Sequence, residues 1–228
     1  MIRLVGVALG VTLALAVAHA HDPITTRVTW NADVSRILSA RCVKCHSPEG
    51  PGPMSLVTYE DARPWAKAIR EEVMTRRMPK WHAVRGYGDF SNDPSLSPFE
   101  ISLVVAWAEG GAPKGTDEEA KRSTPLVAAP APDVRDGVRT LTMACGEQPL
   151  PEGMLVSVQP NLDRDASLGI AVRQPDGQRV IVAWIRGYDP DFPTVYRLRT
   201  SIRLERGSVL VTERRDSCSI TVGIALRR

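Results

Sequence analysis

The sequence predicts two folded parts of different class, a small helical domain followed by an all-β sandwich. Three observations predict it. Capped, amphipathic helical stretches run from about residue 29 to 110. A stretch rich in Ala and Pro follows, with Pro113, Pro125, Pro130 and Pro132, and reads as a linker. From about residue 138 the pattern changes to short β-branched runs between turn residues. The expected division is a signal peptide over 1–20, a helical domain over 21–115, a linker over 116–137 and a sandwich over 138–228. With 43% hydrophobic residues in 228, the chain can bury a core in each part. The formal net charge of +3 is small and dispersed, with no basic run interleaved with aromatics, which argues against nucleic acid as a partner.

The N-terminus reads as an export signal. Arg3 precedes an apolar run from Leu4 to Ala18, and Ala18-His19-Ala20 is a small-x-small cleavage pattern. The run is shorter than the ~20 apolar residues of a spanning helix. The expectation is a periplasmic or otherwise exported chain starting at His21, with no membrane span after cleavage and in surroundings that permit disulfides. An N-terminal copper chelate on His21 would need a second imidazole, and the one not otherwise used is His82.

In the helical part, Asn31 is the expected N-cap of a first helix whose Val34, Ile37 and Leu38 share a face. Thr58 and Asp61 form a capping box for a second region, where Pro64 opens a fresh segment and Trp65, Ile69 and Val73 make a stripe to about Arg77. Ser97, Pro98 and Glu100 start a third helix, with Ile101, Val104, Val105 and Ala108 inward and Gly110 at its end.

The chemistry sits at Cys42-Val43-Lys44-Cys45-His46. A C-x-x-C-H run attaches c-type haem, because two residues between the thiols span the two vinyl groups and the following imidazole meets the iron. A thioredoxin-like pair would need a strand before it and a helix after it. Here a helix precedes, and the loop Gly50-Pro51-Gly52-Pro53 follows. A zinc site would need a second Cys/His pair at suitable spacing, which the sequence lacks. One covalent haem c on Cys42 and Cys45, with His46 as proximal ligand, is therefore expected.

For the sixth ligand the candidates are Met54, Met74, Met78 and His82. Met54 lies too near the proximal loop, and Met74 lies on a helix where it packs. Met78, before Pro79 at the expected helix end, is preferred. His82 and an open or water-bound position are the alternatives, although an exposed or propionate-bonded His82 is the simpler expectation.

These residues resemble a known family. Residues from about 29 to 115 are similar to a bacterial class I-type cytochrome c domain. Cys42-Val43-Lys44-Cys45-His46, Pro53-Met54-Ser55-Leu56, Thr58 to Trp65 and Ala106-Trp107 match one subgroup, often joined to a module similar to copper type II, ascorbate-dependent monooxygenases. Its distal motif, Met-Pro-Pro-Trp-His, is Met78-Pro79-Lys80-Trp81-His82 here. The resemblance implies that His46 and Met78 ligate iron and that Pro53 lines the proximal side. The fold expected overall is thus a small helical cytochrome c domain followed by a β-sandwich.

The second half resembles the C-terminal sandwich of those monooxygenases more faintly, through Leu150-Pro151-Glu152-Gly153, Gln159-Pro160, Pro175-Asp176-Gly177 and Ala183-Trp184-Ile185. Where that family carries a His-x-His copper pair, this chain has Asn161 and Asp163. No His follows His82 and no Met follows Met154. Copper and monooxygenase activity are therefore not expected.

Read from its residues alone, this half has strand-like runs at Met154–Val158, Ile170–Val172, Val180–Ile185, Val195–Leu198, Val209–Thr212 and Ile220–Ile224. Asp176-Gly177 and Arg206-Gly207 are the turns expected between them. Cys145 and Cys218, the two Cys outside the haem motif, are expected to form a disulfide tying the first strand to the last. Arg164, Arg173, Arg179 and Arg186 could meet an acidic partner or form an ordinary solvated face.

The function expected is an exported electron carrier, passing single electrons to a redox partner protein, with a non-catalytic sandwich for docking or assembly. The alternative is a haem-based ligand-binding or sensing module, or a peroxidase-like enzyme, with an open sixth site.

Overall fold

The computed structural model describes residues 27–123, 137–213 and 218–225. The expected signal peptide, His21 and most of the expected linker lie outside the described residues. The chain divides into two compact units. One takes Ser97–Thr124 together with the residues up to Met74, and the other takes Thr75–Leu96 together with the residues from Pro125 onward.

The first unit is built from short helices. A π-helical turn, Trp30–Val34, leads into α1 (Ser35–Arg41). Thr29, rather than Asn31, caps it, its hydroxyl accepting from Ala32 N–H at 3.1 Å. Next come α2 (Tyr59–Ala62), a 3₁₀ turn Arg63–Trp65, α3 (Ala66–Met74), α4 (Pro98–Glu109) and α5 (Asp117–Arg122). The capping boxes Thr58/Asp61 and Ser97/Glu100 both form. Two details depart from the expected periodicity. The tight turn at Arg63–Trp65 shifts the phase of the following helix, so Ala66, Ile69 and Val73 are buried and Trp65 is exposed. Helix α3 ends at Met74, short of Pro79, and Arg76 takes a left-handed φ of 56° just beyond it. The core gathers Val34, Ile37, Leu38, Leu56, Val104 and Trp107. Trp30 lies 6.0 Å from both Tyr59 and Trp107 by ring centroids.

The second unit holds two antiparallel four-stranded sheets. Its strands are β1 (Val138–Ala144), β2 (Glu147–Pro149), β3 (Gly153–Asn161), β4 (Leu168–Arg173), β5 (Arg179–Ile185), β6 (Tyr196–Leu204), β7 (Val209–Thr212) and β8 (Ser219–Ala225). The spatial orders are β1-β8-β3-β6 and β2-β7-β4-β5. One apolar core joins both sheets through Leu155, Val158, Ile170, Val172, Val182, Ile185, Leu210, Ile220 and Val222. Gly177 and Gly207, at φ of 86° and 91°, make the two expected turns. Cys145 and Cys218 are bonded, with Cα atoms 5.5 Å apart, and close the β1–β8 end of the first sheet.

The expected fold class is corrected by this architecture. Among the described residues the chain is mainly β, two antiparallel four-stranded sheets with only a few short helices, rather than a helical cytochrome c domain followed by a sandwich. Two physical reasons explain the misreading. Capping marks where helices start but periodicity can overstate where they stop, as at α3, which ends at Met74 rather than at about Arg77. The segment Thr75–Leu96, expected to continue the helical part, instead packs among the sheets. Its Ala83 and Phe90 belong to their core.

Candidate functional site

The loop after α1 carries the Cys-x-x-Cys-His run. Leu38 O accepts from both Cys42 N–H (2.8 Å) and Val43 N–H (3.0 Å), closing the helix. Cys42 O then accepts from Cys45 N–H at 3.0 Å and His46 N–H at 2.9 Å, so one further turn brings the two Cys and the His round together. Beyond it the chain folds back on the turn. Gly52 N–H donates to Cys45 O at 2.8 Å, and Leu56 N–H donates to His46 O at 2.9 Å.

The imidazole is held on one nitrogen. His46 Nδ1 lies 3.2 Å from the carbonyl oxygen of Met54. A carbonyl can only accept, so Nδ1 is the donor here, and in the neutral ring Nε2 then carries the lone pair. Metal-bound histidines are oriented in this way, by a backbone carbonyl on the other ring nitrogen. The glycines around the ring show how closely the loop is fitted. A Cβ on Gly52 would stand 2.7 Å from His46 Nδ1 and 2.8 Å from Cys45 O, and one on Gly50 would collide with Cys45 O. Pro53, exposed, sits between Gly52 and Met54 and so belongs to the segment that grips the ring.

Cys42 and Cys45 are free thiols. Burial, with the neighbouring Cys45 adding to it, pushes the Cys42 thiol up to about 12, while Cys45 is exposed. Arg41 Nε donates to Glu100 Oε1 at 3.1 Å, tying the end of α1 to the start of α4. Glu100 is buried, which on its own raises its pKa. Hydrogen bonds from Ser97 and Arg41 outweigh that, and its carboxyl lies below the usual value.

The structure thus brings Cys42, Cys45 and His46 together with the Pro53–Met54 segment. Met74 is exposed at the end of α3. Met78 and His82 belong to the second unit, on the segment Thr75–Leu96. His82 is not the exposed side chain that was one of its two expected states. It is buried, its Nδ1 has no hydrogen-bond partner, and its ring centroid lies 5.5 Å from that of Tyr188. Burial holds its pKa below the ordinary histidine value; Asp189 opposes that shift and Lys80 adds to it.

Asn161 and Asp163 are both exposed, at and just after the end of β3. Of the expected arginine face, Arg164 is engaged by Asp189 and Asp191, each at 2.7 Å, and Arg173 by Glu147 at 2.6 Å. Two of its four members are therefore spent on intramolecular ion pairs.

Among the described residues, no three His, Cys, Asp or Glu side chains gather as a metal-binding group. A haem iron takes its equatorial ligands from its own macrocycle and asks the protein only for axial ones. Two free thiols, an imidazole presented on one nitrogen and a close-fitted loop are the donor set that a covalent haem requires, and these residues fit it.

Sequence reasoning missed Glu100 as the partner of Arg41, because its capping-box role accounted for it fully. It also missed the fastening of the Thr75–Leu96 segment by Lys80 on Asp189, Trp81 on Tyr196 and Asn92 on Val195 and Arg197, residues that carry no periodic signal.

The chain matches no protein-family model and no curated protein. Among solved structures it is similar to Pseudomonas aeruginosa AlgX, at 13% identity and a TM-score of 0.25, covering 42% of this chain. The chain spans only 27% of that protein's length. Two structures of a pentameric capsid protein from metagenomic phage sequences also match, at 14% and 16% identity. Both have TM-scores of 0.28 and cover 70% of this chain, with 88% and 90% of theirs. Likenesses this distant carry no argument about fold or activity.

Proposed function

We propose that this protein is an exported single-electron carrier, with one haem c held by thioether bonds to Cys42 and Cys45 and by His46 on the iron. The observation that carries the reading is the presentation of His46. Its Nδ1 faces the Met54 carbonyl inside a loop where a Cβ on Gly52 would collide with the ring. The haem supplies an iron that cycles between ferric and ferrous states by one electron.

The chain's own residues do the rest. Cys42 and Cys45 fix the macrocycle in place. The Met54 carbonyl polarises the His46 N–H and raises the donor strength of Nε2. The Arg41–Glu100 pair braces the end of α1 from which the motif issues.

Met78 is assigned to the sixth position on its Met78-Pro79 sequence. A redox partner protein takes the electron, and the Cys145–Cys218 disulfide is compatible with a chain that matures outside the cytoplasm. No helix among the described residues is long and apolar enough to cross a membrane.

The test is optical and chemical. The protein is produced with export and haem-attachment machinery, denatured, and its haem content measured after acid-acetone extraction. Haem that stays with the protein, with a low-spin spectrum that cycles reversibly on one-electron titration, is the expected result. Extractable haem, or none, rejects the reading.

A further inference from the structure

An edge strand presents a row of unpaired backbone N–H and C=O groups that can pair with another chain. The outer strands are β1 and β6 in one sheet and β2 and β5 in the other. Three of these edges are protected. The segment Lys80–Asn92 forms a strap along two of them. Val84 N–H donates to Trp184 O on β5 at 2.7 Å, and Ser91 N–H donates to Arg197 O on β6 at 2.9 Å. The Asn92 side chain lengthens the second contact. Its Nδ2 donates to Val195 O at 2.7 Å and its Oδ1 accepts from Arg197 N–H at 2.9 Å. On the third edge, β2 has three residues and ends in Pro149, which has no N–H to offer.

Strand β1 is the exception. It runs for seven residues, Val138–Ala144, without Pro or Gly and with one charged side chain, Arg139. Among the described residues, only β8 pairs with it.

Its free side has a definite hydrogen-bonding order. The β1–β8 register runs from Val138 opposite Ala225 to Ala144 opposite Ser219, and its next step sets Cys145 opposite Cys218. There Cys145 N–H donates to Cys218 O at 3.1 Å. Successive residues of an antiparallel strand turn their N–H and C=O to alternate sides. Met143, Leu141 and Arg139 therefore also direct these groups to β8, whereas Ala144, Thr142, Thr140 and Val138 direct theirs outward. Pro160 agrees with this order. It stands opposite Ile220 on the far side of β8, and Ile220 spends its own groups on Met143, so no N–H is needed there.

This outward pattern is complementary to itself. Against a second copy related by a twofold axis at Leu141, Val138 meets Ala144 of the second copy and Thr140 meets its Thr142. Both members of each pair have outward groups, so every outward N–H and C=O of β1 finds a partner. The side chains agree as well. Leu141 and Met143 pack on the core, and a twofold axis normal to the sheet keeps that face continuous. On it Leu141 meets its own copy and Arg139 meets Met143, so no two arginines are opposed. On the exposed face Thr140 meets Thr142, beside the contact of Thr142 Oγ1 with Thr221 Oγ1 at 2.8 Å. Cross-strand threonine pairs of this kind are favourable.

We infer that β1 is a self-association edge, and that two copies join β1 to β1, antiparallel, into one continuous sheet. A symmetric pair of this sort is the isologous contact of a twofold dimer. A second copy is the partner whose register follows from β1 itself. Only residues of the two-sheet unit take part, so the dimer does not depend on haem in the first unit.

The experiment uses the full-length protein, with sedimentation velocity over a concentration series and hydrogen exchange at the amides of β1. The parent is expected to form a concentration-dependent dimer in which the Thr140 and Thr142 amides exchange slowly. Thr140→Pro/Thr142→Pro removes two outward N–H groups and leaves the bonds to β8 in place, because proline is tolerated where the N–H side of an edge is free. Thr140→Lys/Thr142→Lys keeps every backbone group but gathers like charges across the junction. Each is expected to raise the dimer dissociation constant at least tenfold, and in the Lys variant salt is expected to restore part of the association. The urea midpoint of the Lys variant, expected to match the parent, keeps the test valid if the Pro variant fails to fold. A parent that is monomeric at every concentration overturns the inference, whether its Thr140 and Thr142 amides exchange freely or are protected by another segment. A dimer whose constant stays within twofold of the parent in the folded Lys variant also overturns it.

Discussion

The loop Cys42–Leu56 and the strap Lys80–Asn92 are both irregular, yet they are held in opposite ways. In the loop almost every restraint is local. His46 is gripped by Met54, Gly52 bonds Cys45, and Leu56 bonds His46, all within about one loop length. In the strap the partners of residues 80 to 92 are residues 182 to 199, roughly a hundred positions on. A locally closed loop can form as soon as its own residues meet. A strap of this kind has no shape until the sheets exist. The difference teaches that the Cys42–His46 turn is closed by its own neighbours, whereas the segment Lys80–Asn92 takes its shape from strands far along the chain.

The largest effect expected is at the motif. Cys42→Ser/Cys45→Ser should carry no covalent haem while retaining the Cys145–Cys218 bond. Haem content after extraction and a non-reducing peptide map read both. Covalent haem surviving in that variant would show that the loop is not the attachment point.

Next in size is the disulfide. It closes a sequence separation of 73 residues, for which the chain-entropy model gives about 4 kcal/mol. Cys218→Ser should lower the unfolding free energy in urea by about 3–4 kcal/mol and loosen strap and sheets together. Haem attachment in the first unit should persist. Loss of both would show that the loop is not closed by its own neighbours alone.

Gly52→Ala sharpens the comparison from the other side. Its Cβ would press on His46 Nδ1 and Cys45 O, and relief of that overlap costs about 1–3 kcal/mol. A reduced fraction of haem-loaded protein is expected, with the stability of the sheets unaltered. An unchanged haem yield would mean that the loop is less closely fitted than the distances indicate.

The smallest effect is a pH dependence in the strap. Burial lowers the pKa of folded His82 below its ordinary value of 6.5. Its neutral form is therefore favoured by folding. That contribution is fully present above about pH 6.5 and is lost as the pH falls toward the folded value, because the unfolded chain takes up the proton first. Protease cleavage at the strap, around Arg85, should increase on acidification through this window. His82→Gln should flatten the dependence, and an equal dependence in that variant would assign it elsewhere.

The same contrast explains what was legible in the sequence. The Cys-x-x-Cys-His run, the capping boxes at Thr58 and Ser97, and the turns at Gly177 and Gly207 are short-range features, and their geometry follows from a few adjacent residues. The disulfide followed from there being two remaining Cys. The extent of the β architecture did not. Strand β1 alternates weakly and β2 has three residues ending in Pro149, so neither carries a clear pattern. The strap looked like the end of a helical part because a lone Trp81 or Asn92 gives no period from which a distant sheet edge can be inferred. The imidazole of His82, polar and flanked by Lys80, gave no sign that it would be buried.

The central claim is that the Cys42–His46 loop carries a covalent haem, and the intact mass of the exported protein under denaturing, non-reducing conditions tests it most directly. The account predicts a mass raised by one haem, with no thiol left to alkylate at Cys42 or Cys45. A mass equal to the polypeptide alone, with both thiols alkylated after export in cells competent to attach haem, would contradict it.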